Sequence, residues 1–239
     1  MTLTAIGFDA DDTLWHNERF FQRTQAHFAD LLRDHLSPED CADHLESRLH
    51  AAEFRNLGHY GFGVKGFTLS MIETAIEVTE GRVPARVIGK ILDAGREMLR
   101  HPVEILPHAR PAIEALAGHY RLVLVTKGDL LDQERKLAAS GLGDLFDAVE
   151  IVSDKTPQIY HAVFARHANG ADRAMMVGNS LKSDVLPMIA AGGWGVYVPH
   201  DLTWVLEQAD APQDHPRFAE LPDLGALTAL IARIDSRAP

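Results

Sequence analysis

Only one cysteine, Cys41, occurs in 239 residues. An internal disulfide is therefore excluded, and a reducing, cytoplasmic setting is expected. No apolar run approaches the roughly 18 residues that cross a bilayer. The amino-terminal segment has no basic stretch leading into a long apolar core, so no secretory signal is expected. Runs of Lys and Arg are also lacking: 23 bases stand against 34 acids, for a formal net charge of -11. A surface of that sign repels polynucleotide phosphates and anionic lipid heads, so neither nucleic acid nor membrane is an expected partner. The 13 histidines lack the short paired spacing of a zinc site and read as surface or packing residues. There is no internal repeat and no low-complexity segment, and no stretch singles out an oligomer interface.

What is present is a globule. Hydrophobic residues make up 46% and charged residues 24%, and the length suits one large domain or a core with an insertion. Short apolar runs rich in β-branched residues recur at residues 121–126, 148–152, 174–178 and 194–198. They are too continuous for half-exposed antiparallel strands. Helical spacing separates them, at Pro111 to Leu116, Leu130 to Leu137 and Ile159 to Phe164. With a first strand at residues 3–9, this alternation predicts a Rossmann-like parallel α/β sheet covered on both faces.

Residues 16–104 read differently, as an α-helical domain inserted into a core made of residues 1–15 and 105–239. Phe20, Phe21, Thr24, Phe28, Leu31 and Leu32 form one helical stripe, an expected core and not a substrate box. Ser37-Pro38-Glu39-Asp40 supplies the start of a second helix. Phe67, Met71, Ile72, Ala75 and Ile76 form another stripe. Val87, Ile88, Ile91, Leu92, Met98 and Leu99 form a fourth, weakened in its middle by Gly95. The glycine-rich stretch 58–66 predicts a mobile loop.

Open parallel sheets bind ligands outside the carboxyl ends of their strands. The first strand delivers Asp9 and Asp11 there. The second delivers Thr126, Lys127 and Gly128, a hydroxyl followed by a turn whose N–H groups suit an anion. Lys155 follows the third strand, and Asn179 and Asp184 follow the fourth. Paired carboxylates crowded at one edge need a cation or a shared proton to offset their burial. A site for Mg²⁺ and a phosphoryl group meets that need. Each residue alone has a plainer reading, as a turn acid, a strand-ending threonine or a solvated lysine. The order of the four motifs together favours chemistry.

Asp9-Ala10-Asp11-Asp12-Thr13, Thr126, Lys155 and Asp184, in that order, resemble the four motifs of the haloacid dehalogenase-like hydrolase superfamily, phosphatase type with a helical cap. The family often carries an aspartate where Asn179 stands. The resemblance implies a phosphatase for a small phosphomonoester, with Asp9 as nucleophile and Asp11 as general acid and base. It implies Mg²⁺ held by Asp9, the Asp11 carbonyl and Asp184, with Asn179 either a ligand or the residue that orients a water. Lys155, Thr126, Lys127 and Gly128 would hold the phosphoryl oxygens, and Lys65 in the glycine-rich stretch would meet substrate. Asp12 is left out of this set as a turn or helix-start acid, and Thr13 is expected to orient Asp9. The rival readings are a haloacid dehalogenase or phosphomutase of the same superfamily, or a non-catalytic phospho-ligand module.

Overall fold

The computed structural model describes residues 2–36 and 42–236. The Ser37 to Asp40 helix start and Cys41 lie outside the described residues. The chain divides into two compact units, one made of Met1–Glu18 with Val103–Pro239 and the other of Arg19–Pro102.

The first unit is built on six strands: β1 (Ala5–Phe8), β2 (Arg121–Lys127), β3 (Ala148–Val152), β4 (Ala174–Gly178), β5 (Trp194–Tyr197) and β6 (Phe218–Glu220). They pair in parallel in the order β3-β2-β1-β4-β5-β6. β1 and β4 are buried throughout, which is why their sequences read as unbroken apolar runs. β3 lies at the sheet edge and leaves Val149 exposed, so its apolar run overstates its burial. β6 is a sixth strand beyond the five expected; three residues are too few to show a period.

Alternate residues feed opposite faces of the sheet. Ile6, Phe8, Leu122, Leu124, Met175 and Val177 pack under the helices α5 (Ala109–Leu116) and α9 (Leu227–Ser236). Val123, Val125 and Met176 pack against α7 (Pro157–His167) and α8 (Leu186–Ala190) on the other face. A further helix, α6 (Leu130–Ser140), breaks this pattern. Its buried residues are Asp132, Gln133, Lys136 and Ser140, while Leu130 and Leu131 are exposed. A helix that turns polar side chains inward is supporting a site, not only a core.

The second unit is helical, with α1 (Glu18–Leu32), α2 (Ala42–Tyr60), α3 (Val64–Val78) and α4 (Ala85–Met98). Phe28, Leu49, Phe67, Met71 and Ile91 make its own core, and Phe21 packs against it. The expected loop at 58–66 shrinks to residues 61–63, because Gly58, His59 and Tyr60 finish α2 while Val64, Lys65 and Gly66 begin α3. Packing between the two helices overrides the glycine content. Asn56 donates to Ser70 Oγ at 3.1 Å and to Glu73 at 2.8 Å, tying one helix to the other. Gly61 and Gly63, at φ +71° and +118°, carry the reversal itself. Gly95 is a packing requirement as much as a weakness, since a Cβ there would stand 2.3 Å from Thr68 Oγ1 on α3.

Candidate active site

β1 occupies the centre of the sheet, with β2 on one side and β4 on the other. Chain order reverses at this point, the place where open α/β sheets hold ligands. Asp9 is the first residue beyond β1, and its N–H donates to the Val177 carbonyl at 2.9 Å. Its carboxylate accepts from Lys155 Nζ at 2.5 Å and from Thr13 Oγ1 at 3.1 Å. The Thr13 hydroxyl therefore contacts Asp9 directly, the neighbour it is expected to orient.

Lys155 is held just before α7, where Thr156 caps the helix by accepting from the Ile159 N–H at 3.3 Å and Pro157 occupies its first turn. The Lys155 ammonium also meets Asp184 Oδ1 at 2.6 Å. Asp184 is fully buried on a π-type turn at 181–185, a kind of widened turn that recurs at functional sites. Its Oδ2 accepts from the Ser180 N–H at 3.0 Å. Gly178 makes room for it, since a Cβ there would lie 2.1 Å from Asp184 Oδ2.

One ammonium therefore serves two buried carboxylates, and the excess negative charge has consequences. Burial and the Asp184 charge push Asp9 up to about 7 despite Lys155. Burial opposes the charge on Lys155, but the two carboxylates outweigh it and raise the ammonium well above the usual range.

Asn179 answers part of the excess. One arm of its amide lies 3.1 Å from the Asp11 carbonyl oxygen and 3.2 Å from Asp9 Oδ2. With nitrogen on that arm, the amide donates to both. With oxygen there, Thr13 Oγ1 lies 3.2 Å away as a donor, and the Asn179, Asp9 and Asp11 carbonyl oxygens form a cluster of the hard, oxygen-only kind that Mg²⁺ takes. Asp184 joins the same cluster through Lys155, with its second oxygen on the Ser180 N–H.

Asp11 turns to a different neighbourhood. Both carboxylate oxygens lie 2.7 Å from Lys136 Nζ, and they also accept from Trp15 Nε1 at 2.7 Å and Gln133 Nε2 at 2.9 Å. Burial pushes Asp11 up, but Lys136 with these donors more than offsets it and holds the carboxyl below its usual range. Lys136 and Gln133 are the inward polar residues of α6. The sequence signal that marks them is an acid, an amide and a lysine where the helix period calls for apolar side chains.

Thr126 is buried at the end of β2. Lys127 directs its ammonium to Ser183 Oγ at 2.8 Å and to Glu207. Glu207 also accepts from Ser183 at 2.5 Å and from Ser180, so it braces the turn that carries Asp184. Gly128, at φ +136°, supplies the turn after β2. Lys65 is exposed in the first turn of α3, in the helical unit. Asp12 is a helix-start acid, accepting from the N–H groups of Asn17 at 2.8 Å and Glu18 at 2.9 Å.

A model of the haloacid dehalogenase-like hydrolases matches residues 3–192. The crystal structure of a haloacid dehalogenase-like family hydrolase from Xanthomonas campestris is 44% identical, with a TM-score of 0.87 over 99% of this chain and 93% of its own. A 2-haloacid dehalogenase from Pseudomonas syringae pv. Tomato shares the fold at 21% identity and a TM-score of 0.64, over 98% of this chain and all of its own. So does a predicted phosphoglycolate phosphatase from Haemophilus somnus, at 16% identity and a TM-score of 0.63, over 96% and 98%. No curated protein matches the chain. The matched span takes in β1, the helical unit and the turn bearing Asn179 and Asp184, and the chain belongs to the haloacid dehalogenase-like hydrolases.

Proposed function

We propose that this hydrolase is a Mg²⁺-dependent phosphatase acting on a small phosphomonoester through an aspartyl-phosphate. The observation that carries the reading is a division of labour between two carboxylates two residues apart. Asp9 faces Lys155 and Asn179, while Asp11 faces Lys136. A dehalogenase attacks carbon and expels halide, which asks for no proton donor beside the nucleophile. Asp11 in that position favours an ester substrate, whose alcohol leaves only when protonated.

Asp9 would attack phosphorus as its carboxylate, the ester P–O bond would break, and the departing oxygen would take a proton from Asp11. Asp11 would then remove a proton from water, whose oxygen displaces Asp9 and releases phosphate. Asp9, the Asp11 carbonyl and Asp184 are the proposed holders of Mg²⁺, with Asn179 either a further ligand or the residue that orients a water. Bound there, the ion supplies positive charge between an anionic nucleophile and an anionic ester. Thr126 and the N–H groups of the turn at Gly128 would hold the equatorial oxygens. The ion pair with Lys136 keeps Asp11 ionised, the form that the second half-reaction requires. The first half-reaction requires Asp11 to leave that pair and carry a proton.

A panel of phosphomonoesters, with and without Mg²⁺, tests the reading on wild type and Asp9→Asn. Turnover is expected only with Mg²⁺ and only in wild type. Halide release from a 2-haloacid without the ion would assign a dehalogenase instead. Phosphoryl transfer from the enzyme to a sugar in place of water would assign a mutase.

A further inference from the structure

We propose that Asp12, His16 and His200 form a second metal site, of the transition-metal class that includes Zn²⁺ and Co²⁺, separate from the proposed Mg²⁺ site. One ligand atom from each of the three lies within 4.8 Å of the others. His16 Nδ1 stands 3.4 Å from His200 Nε2, and His200 Nε2 stands 3.6 Å from Asp12 Oδ1. A tetrahedral ion with bonds of about 2.0–2.1 Å sets its ligands about 3.3–3.4 Å apart. The two measured edges come within a few tenths of that figure.

The ring of His200 is already turned for this task. Its Nδ1 is engaged by Leu202, 3.0 Å from the carbonyl oxygen and 3.2 Å from the N–H, which fixes the ring with Nε2 facing Asp12 and His16. In the tautomer with the proton on Nδ1, the Nε2 lone pair is available to a cation that Asp12 and His16 also reach. An N–H donated to a backbone carbonyl is also how ligating histidines are fixed in tautomer and direction. Asp12 is fixed by the Asn17 and Glu18 N–H groups, and the His16 backbone donates to the Glu104 carbonyl at 3.0 Å. Asp12 and His16 are thus held by backbone hydrogen bonds, and the His200 ring by Leu202. Two imidazoles and one carboxylate suit Zn²⁺, Co²⁺ or Ni²⁺, whereas Mg²⁺ prefers oxygen alone. Three protein ligands leave a fourth position for water or another small ligand.

The test uses the full-length, untagged protein, stripped by chelator and kept in excess Mg²⁺. Co²⁺ is titrated while its visible absorption is followed, and Zn²⁺ is titrated in a calorimeter. One equivalent of Co²⁺ is expected, with intense bands of low-symmetry four-coordinate cobalt that Zn²⁺ erases. His16→Gln and His200→Gln should each weaken binding at least tenfold, while Asp9→Asn leaves it unchanged. X-ray absorption on the Zn²⁺-loaded wild type should show two imidazoles, a readout independent of whether the histidine variants fold. Failure of wild type to bind Co²⁺ in excess Mg²⁺ overturns the proposal. An oxygen-only shell also overturns it, as does binding lost in Asp9→Asn and kept in both histidine variants.

Discussion

Lys136 decides the charge on Asp11, because its ammonium contacts both carboxylate oxygens at 2.7 Å from a largely buried position. Removing the ammonium leaves a carboxylate with only Trp15 and Gln133 to answer it. Lys136→Met is expected to lower stability by about 3 kcal/mol, the range found when one partner of a buried pair is removed. The double variant Lys136→Met/Asp11→Asn should recover most of that loss, since no unpaired charge remains. Urea melts of the two singles and the double measure the coupling, and a loss in the double equal to the sum of the losses in the two singles would show that the pair does not couple. The same substitution should move the Asp11 limb of a pH–rate profile to higher pH, because the lysine is what holds that carboxyl low.

At the scale of elements, the crossing of α3 and α4 depends on one missing side chain. Gly95 admits Thr68 so closely that a Cβ would overlap its hydroxyl, whereas a Cβ at Gly89, on the same helix, meets nothing within 4 Å. Gly95→Ala should therefore destabilise by about 1–3 kcal/mol through overpacking. Gly89→Ala should stabilise by about 0.5–1 kcal/mol through helix propensity and a narrower unfolded ensemble. Thermal melts of the two variants should shift in opposite directions; a shift of the same sign would refute the close-crossing account. The inward polar face of α6 is the other element-level feature. Its exposed leucines and buried Gln133 and Lys136 defeat a reading by period, and the reason is the carboxylate of Asp11 at the far end of those side chains.

For the molecule as a whole, stability should depend on pH through Glu53 on α2. Burial pushes its carboxyl from 4.5 up to about 7. The folded value lies above the unfolded one, so the protonated glutamic acid is favoured by folding. Its contribution is fully present below pH 4.5 and is lost as pH rises through 7. Glu53→Gln should flatten that decline and leave the protein on the order of 2 kcal/mol more stable than wild type above neutrality. Denaturant midpoints of both proteins across this range provide the check, and parallel curves would refute the assignment.

The apolar runs revealed the parallel sheet because strands covered on both faces need continuous hydrophobic side chains, a property local to each segment. The spacing of Asp9 and Asp11 was legible for a similar reason: both belong to one strand end. The short strand β6 was not legible, because three edge residues carry no period. Nor was the true extent of α2 and α3, where contacts such as Asn56 with Ser70 overrule glycine's preference for loops. The partners of the site residues were hidden by distance along the chain. Asp11 meets Lys136 across 125 positions, and His16 meets His200 across 184. Local spacing determines which strand end a carboxylate occupies; only the folded chain, which brings remote charges into mutual contact away from water, decides which ammonium or imidazole answers it.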